Sequence, residues 1–539
     1  MNTRISRHLV WLAAATPLMV GLELGRRIFA NNDDARFAVL GQDILSHGLR
    51  FFPDLNGVPY YNKPALLAWL IALVSWPVGS VSQFTAALPS ALAGAGTALA
   101  VYALGRDLFG SEAGRYAALI AVATQGFFLQ ARLPLPDMLM TLFITLALWQ
   151  FWRMTKDGAR DHHWLGFYGF TALAFWAKGP AGFMPLAVGL GWAIAFRRAH
   201  GWQRLRLAPG LACLAALVAP WWLLALGTDS AAIRDAVVID HLMWYVPTTL
   251  TWKSVTAPLR NSFGILFPWV VLIPVVLVHA VRAARDERPE REPLQLLLVW
   301  ALVTLVVVGV SRQQRLRYYL PLVPPVALLI AWWLAVSVRM RRDTPRLPWR
   351  AYAVAAALVA LMAAGVLVAN GGLPRDAAIS LPASVLEVLV LGGGLATMLG
   401  ALVWGVRRNR IGRAFAVAWL GSAVFVAGAY HWEVERFNTA YDFPRVSERM
   451  RPALQGASVV ATWGVPELPL SFYFHRRVVL VESLEDLERV MADGARAVAI
   501  MTDGALAGSR ERERLEVLMN DRLALRPISL VRREFAKRL

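Results

Sequence analysis

Apolar runs of 14 to 24 residues, separated by short polar stretches, fill the first four-fifths of this chain. They fall at about 9–29, 65–81, 86–105, 115–131, 138–152, 164–177, 181–196, 207–226, 264–281, 294–311, 318–338, 351–369, 382–405 and 412–430. A membrane-crossing helix needs about 20 apolar residues, somewhat fewer where the bilayer thins, so the pattern predicts a series of transmembrane helices. After about residue 432 the pattern changes. Ser458–Ala461, Val478–Val481 and Val498–Met501 are short apolar runs that read as strands, while Leu484–Met491 and Arg510–Met519 read as helices. The expectation is a membrane domain over 1–431 followed by a soluble α/β domain over 432–539.

Composition agrees. Hydrophobic residues make up 57% of the 539 and charged residues only 17%, against about 25% in soluble proteins; mean hydropathy is +0.48. A soluble enzyme is excluded. The net charge of +19 would suggest nucleic acid on a soluble protein. Here the excess lies in short loops between apolar runs, where it reports topology. Basic clusters stand at Arg4/Arg7, Arg106/Arg115, Arg153/Lys156/Arg160, Arg197/Arg198/Arg204/Arg206, Arg282/Arg285/Arg288/Arg291, Arg339/Arg341/Arg342/Arg346 and Arg407/Arg408/Arg410/Arg413. If all are cytoplasmic, an even number of crossings separates each pair, yet the first interval holds three runs. The run 65–81 follows Lys63-Pro64 and carries Trp69 and Trp76, so it is expected to lie in the interface. About thirteen crossings remain, with the N-terminus inside and the C-terminal domain outside. The single cysteine, Cys213, sits within an apolar run, so neither an intramolecular disulfide nor a cysteine metal site is expected. Gly392-Gly393-Gly394 also lies in an apolar run, where glycines ease helix packing.

This topology sorts the polar residues by side and leaves outer loops at 30–64, 132–137, 178–180, 227–263, 312–317 and 370–381. In the first, Asn31-Asn32-Asp33-Asp34-Ala35-Arg36 opens an amphipathic helix; Asp33 and Asp34 serve either as a solvated cap or in chemistry. Asp137 stands at a helix entry, where the dipole favours it, but a carboxylate at a membrane edge is costly unless used or paired. Lys178-Gly179-Pro180 separates two short spans and reads as a cavity lining or as a turn with a snorkelling lysine. His241 suits metal ligation, proton donation or a structural role. Arg312, Arg315 and Arg317 break the positive-inside pattern beside Tyr318 and Tyr319. Guanidinium forks suit phosphate oxygens, so this cluster is a candidate anion site.

Together these motifs resemble the lipid-donor glycosyltransferases of the GT-C fold, nearest the bacterial aminoarabinose transferases acting on lipid A and more distantly the protein O-mannosyltransferases. The resemblance rests on Asp33-Asp34-Ala35-Arg36, the run from Leu55 through Tyr60-Tyr61-Asn62-Lys63-Pro64, and Asp137 after a proline. It also takes in Lys178-Gly179-Pro180, Pro268-Trp269, Arg317-Tyr318-Tyr319-Leu320-Pro321 and the terminal α/β domain. It implies inverting transfer of a sugar from a polyprenyl-phosphate carrier to a lipid, glycan or protein acceptor at the outer face of a bacterial inner membrane, with the C-terminal domain periplasmic and no nucleic-acid partner. On this resemblance Asp33 activates or positions the acceptor, and Asp137 is the second acidic residue. Lys63 and Tyr60 lie near the donor phosphate, as do Tyr318 with its neighbour Tyr319 and Arg315 or Arg317.

Two departures bear on it. Asn62 stands where the family often has glutamate, so a metal shared with His241 loses a ligand and none is assigned. Trp244 and Tyr245 stand where an arginine is usual, and both changes weigh against fixing the sugar as 4-amino-4-deoxy-L-arabinose. A lipid-linked-sugar transporter or flippase is the rival from another class. It calls for charges buried mid-helix and related halves, and the ionisable residues instead gather at one face.

Overall fold

The computed structural model describes residues 16, 19–156, 162–196, 205–227, 234, 237–239, 241, 243–245, 252–339, 385–408, 410–492, 496–508, 515–523 and 526–533. The expected span at 351–369, the segment 370–381, parts of loop 227–263 (228–233, 235–236, 240, 242 and 246–251) and the basic residues Arg4 and Arg7 lie outside the described residues.

The membrane domain is helical. Its helices are α1 (Asn32–His47), α2 (Leu66–Ser75), α3 (Gln83–Phe109), α4 (Ser111–Val122), α5 (Gln125–Gln130), α6 (Pro136–Met154), α7 (His162–Lys178) and α8 (Met184–Ala195). They continue with α9 (Leu207–Leu226), α10 (Trp252–Leu266), α11 (Ile273–Ala283), α12 (Arg291–Gly309), α13 (Val323–Arg339), α14 (Val385–Arg408) and α15 (Ile411–Tyr441). Among the described residues six helices are long and apolar enough to cross a membrane, and the pair Val255–Leu266 and Trp269–Ala283 adds a seventh if taken as one bent span. This is a multi-pass membrane protein.

Two expected spans are interrupted. The run 115–131 divides into α4 and α5, because the Gln125 amide leaves the helix to donate to the Phe267 carbonyl at 2.8 Å. The run 264–281 bends by 113° between α10 and α11, at Pro268, which supplies no amide hydrogen for a continuing helix. The run 65–81 forms only the ten-residue α2 and a 3₁₀ turn. At 1.5 Å per residue that is about 15 Å, half a hydrocarbon core. Of the three successive glycines, Gly394 alone meets a neighbour: a Cβ there would lie 2.8 Å from the Gly421 carbonyl, at the α14–α15 crossing.

The last membrane-domain helix, α15, is 31 residues long, about 46 Å, longer than the roughly 30 Å hydrocarbon core. The expected boundary at 431/432 falls inside it, and the C-terminal domain's own fold starts after Tyr441. That domain adds α16 (Phe443–Met450), α17 (Glu467–Phe474), α18 (Leu484–Met491) and α19 (Asp503–Gly508). A two-stranded ribbon, β1 (Asp54–Leu55) and β2 (Val58–Pro59), belongs to the first loop. The five-stranded sheet holds β3 (Val459–Trp463), β4 (Val479–Leu480), β5 (Ala497–Thr502), β6 (Leu515–Leu523) and β7 (Arg526–Arg533) in the order β4-β3-β5-β7-β6. Strand β3 runs parallel to β4 and β5, whereas β7 is antiparallel to β5 and β6. The three expected strands and the helix Leu484–Met491 are present. The described part of the expected helix at Arg510–Met519, Leu515 to Met519, is not helical: it belongs to β6, which pairs with β7 through a bulge between Val517 and Met519. Charged residues in that stretch favour a helix locally, but an edge strand accepts them, and Arg532 pairs with Glu516 across it at 2.6 Å.

The C-terminal domain grips the first loop. Phe29 packs edge-on to Phe472 with ring centroids 4.8 Å apart, and its amide donates to the Tyr473 hydroxyl at 2.9 Å. Burial pushes that hydroxyl up to about 12, so it stays neutral. Asn32 closes the seam twice, donating to Glu467 Oε2 at 2.8 Å and accepting from the Leu468 amide at 3.2 Å. Asn32→Ala removes both bonds and is expected to destabilise the protein by about 1–2 kcal/mol. The readouts are a lower melting midpoint in detergent and faster tryptic cleavage of the C-terminal domain, with helix content unchanged by circular dichroism.

Candidate active site

Asn31 starts the site by capping α1. Its side-chain oxygen accepts from the Asp34 amide at 2.9 Å, and its amide group donates to the Asp34 carboxylate at 2.8 Å. This holds Asp34 inward, where Arg27 pairs with it at 3.3 Å. Asp34 thus serves the cap and the seam. Asp33, one position earlier on the helix, faces the other way and collects three guanidinium groups: Arg36 at 3.0 Å, Arg317 at 2.9 Å, and Arg315. Arg315 and Arg317 arrive on the segment that enters the 3₁₀ turn Leu316–Leu322.

Asp137 lies in the first turn of α6, behind Pro136, and Lys178 in the last turn of α7. Each charge sits at the helix end whose dipole favours it. The two form an ion pair with side chains only 2% and 9% exposed. Arg317 Nε stands 3.8 Å from the other Asp137 oxygen, so one guanidinium faces both Asp33 and Asp137. The Tyr318 ring supports this cluster, with Lys178 Nζ 4.1 Å and the Arg317 guanidinium carbon 5.4 Å from its centroid. Gly179 turns the chain after Lys178 with φ of +88°, a left-handed conformation that disfavours any side chain. Gly182 packs directly on the preceding helix: a Cβ there would lie 2.2 Å from the Phe175 amide nitrogen.

Two cavities flank the cluster. The first is small, about 50 Å³, and is lined by Lys63, Lys178, Tyr318, Trp244, Asn62 and Ser311, with apolar side chains of α6, α8 and α12. The second, a more open cleft of about 700 Å³, is lined by Asp33, Asp34, Arg27, Arg36, Arg315 and Arg317. Among the described residues Lys63 pairs with no carboxylate. His241 is buried beneath the first cavity, stacked on Trp221 at 4.6 Å with Trp222 edge-on at 4.9 Å. Its Nε2 donates to the Asn62 carbonyl at 2.9 Å, which fixes the backbone that presents Lys63. Trp244 is held over the same cavity by its carbonyl, which accepts from the Arg312 amide at 2.7 Å. No group of three or more His, Cys, Asp or Glu is placed to hold a metal among the described residues.

The structure therefore gathers Asp33, Lys63, Asp137, Lys178, Arg315, Arg317 and Tyr318 around two adjoining cavities. It does not bring Tyr60 or Tyr319 there. Tyr60 is buried against Phe37 in the core of the first loop. Tyr319 is fully buried and donates to the Gln314 side chain at 3.2 Å, because successive side chains of a 3₁₀ turn project about 120° apart. Arg27 and Arg36 line the second cavity without having been singled out from the sequence. Arg27 ends the first apolar run on the side assigned to the outside, so the charge rule that marked Arg315 and Arg317 marks it as well.

The family model for dolichyl-phosphate-mannose-protein mannosyltransferases matches residues 62–224. Among solved structures, ArnT from Cupriavidus metallidurans bound to undecaprenyl phosphate superposes over 97% of both chains with a TM-score of 0.73 at 19% identity. The chain has the GT-C fold. The archaeal oligosaccharyltransferase AglB from Archaeoglobus fulgidus shares it more loosely, over 93% of this chain and 70% of its own, at a TM-score of 0.54 and 12% identity. In sequence the chain is similar to the undecaprenyl phosphate-alpha-4-amino-4-deoxy-L-arabinose arabinosyl transferase of Pectobacterium carotovorum, 27% identical over 60% of this chain and 59% of the relative. The transferase of the same name from Pseudomonas aeruginosa is 27% identical over 57% and 56% of the two chains. The matched region thus spans a little under three-fifths of these relatives' length.

The buried pair yields a test of this GT-C cluster. Lys178→Met leaves Asp137 without its nearest cation and is expected to cost about 3–5 kcal/mol. Lys178→Met combined with Asp137→Leu should restore most of that stability. Thermal melts of both variants in detergent check it; equal melting midpoints would mean the pair carries no such cost.

Proposed function

We propose that this protein is an inverting glycosyltransferase that moves a sugar from a polyprenyl-phosphate carrier to a lipid acceptor such as lipid A, on the outer face of a bacterial inner membrane. The reading is carried by one observation: Lys63, which pairs with no carboxylate among the described residues, shares a cavity with Lys178 and Tyr318, one guanidinium away from a second cavity that presents Asp33. The names of the sequence relatives support 4-amino-4-deoxy-L-arabinose as the sugar and undecaprenyl phosphate as the carrier.

In this reading the donor phosphate rests in the first cavity against Lys63 and Lys178. The acceptor enters the second, where the four arginines outnumber Asp33 and Asp34 and favour an anionic head group. An acceptor oxygen attacks the anomeric carbon as the bond to the phosphate oxygen breaks, and polyprenyl phosphate leaves with the bonding electrons. Its growing charge falls on the two lysines, the placement that lowers such barriers most. If the acceptor is a hydroxyl, Asp33 takes its proton, a contribution of roughly 10²–10⁴-fold. If it is an ionised phosphate no base is needed, and Asp33 orients it through the arginines it holds. Arg315 and Arg317 belong to the acceptor side here, since they line the second cavity with Asp33. The carrier's isoprenoid tail contributes about 0.8 kcal/mol per buried CH₂. That holds the donor and speeds the reaction only as far as it orients the head group.

Purified protein in detergent, given a panel of polyprenyl-phosphate sugars with candidate acceptors, should release free polyprenyl phosphate from one of them, followed by mass spectrometry. Asp33→Asn should lower that release at least about 10²-fold with the melting midpoint within a few degrees of the parent. Full activity in this variant would overturn the assignment.

A further inference from the structure

One side chain on the wall of the second cavity, Arg317, also faces the carboxylate whose partner, Lys178, lines the first. Arg317 reaches Asp33 Oδ2 through Nη2 at 2.9 Å, and its Nε stands 3.8 Å from Asp137 Oδ2. The other Asp137 oxygen is held by Lys178, whose ammonium group lines the first cavity beside Lys63. Asp33, Arg315 and Arg317 line the second. The charges therefore run in one alternating line from cavity to cavity: Lys178, Asp137, Arg317, Asp33.

We propose that Arg317 is a positioning residue that couples the two cavities, so that a phosphate bound in the first turns Arg317 towards Asp137 and loosens Asp33 on the wall of the second. This rests on the reading of the first cavity as the donor-phosphate site. A phosphate there draws on Lys63 and on Lys178. Asp137, almost wholly buried, then shares its nearest cation, and a buried carboxylate that loses its partner is strongly disfavoured. Arg317 is the next cation, and a movement of about 1 Å brings its Nε to charge-assisted hydrogen-bond distance. Asp33 meanwhile keeps Arg36, three residues along its own helix, and Arg315. It stays ionised and positioned but no longer tied to the partition between the cavities. Donor loading thereby prepares the acceptor side.

Coupling of this kind is reciprocal: whatever releases Arg317 from Asp33 should tighten phosphate binding in the first cavity. The full chain, purified in detergent, is titrated by equilibrium dialysis with labelled farnesyl phosphate, a short isoprenyl phosphate. Asp33→Asn is expected to tighten binding about fivefold, at the low end of typical couplings. In an Arg317→Lys background that gain should vanish, because an ammonium group keeps the charge but lacks the separate arms that reach two carboxylates. Arg317→Gln should behave likewise, and the pair of backgrounds guards against one of them failing to fold. An equal gain from Asp33→Asn in all three backgrounds would mean only that a negative charge was removed, and would overturn the proposal, as would no gain in any of them. Lys63→Ala tests the underlying reading separately. If farnesyl phosphate binds that variant as tightly as the parent, or binds the parent not at all, the first cavity is not the donor-phosphate site and the coupling falls with it.

Discussion

The arrangement depends on a carboxylate and an ammonium group that meet at the ends of two membrane helices. Asp137 and Lys178 have little water to solvate them, and neither charge is tolerable alone in such surroundings. Their pairing fixes the top of α6 against the top of α7. It requires the sharp turn at Gly179 and leaves the second oxygen of Asp137 facing Arg317. Tyr318 beneath both cations and Asp33 beyond Arg317 then have defined places. The short connection between α6 and α7 brings these two ends to the same side, and the ion pair locks them together there.

A second constraint comes from the C-terminal domain. Helix α1 carries Asp33 and lies between the membrane helices and that domain, which holds this stretch through Asn32, Phe29 and Tyr473. At its other end the first loop is fixed from below, where buried His241 holds the Asn62 carbonyl. A loop of thirty-odd residues is thus fixed at its start by the soluble domain and near its end by the membrane domain. This is how Asp33 and Lys63, thirty positions apart, come to stand on adjoining cavities. The arginines add a specific feature. Arg27, Arg36, Arg315 and Arg317 exceed the two carboxylates they surround, and the excess positive charge lines the second cavity.

Much of this was legible along the chain. Hydrophobic periodicity located nearly every described membrane helix, and Leu207–Leu226 coincides with its apolar run to the residue. The charge rule singled out Arg315 and Arg317, and the cost of a carboxylate at a membrane edge singled out Asp137. The three apolar strands of the C-terminal domain were readable because buried strands are continuous apolar runs. The edge strand β6 was not, since its charges suit a helix equally well until a neighbouring strand claims its backbone.

By itself, then, the sequence determined that the chain lies mostly in a membrane, where most of its described helices run, and which charged residues stand at their ends. These properties follow from transfer free energies and periodicity, which are local. Only the tertiary structure decided how those residues divide. Tyr318 turns into the first cavity while Tyr319, its neighbour, is buried in the core. Asp33 faces three arginines while Asp34 turns back to Arg27. His241 supports a backbone carbonyl, and a single guanidinium stands between two carboxylates more than a hundred positions apart in the chain. Such choices depend on which way each side chain points once helices distant in sequence have packed, and no local pattern encodes that direction.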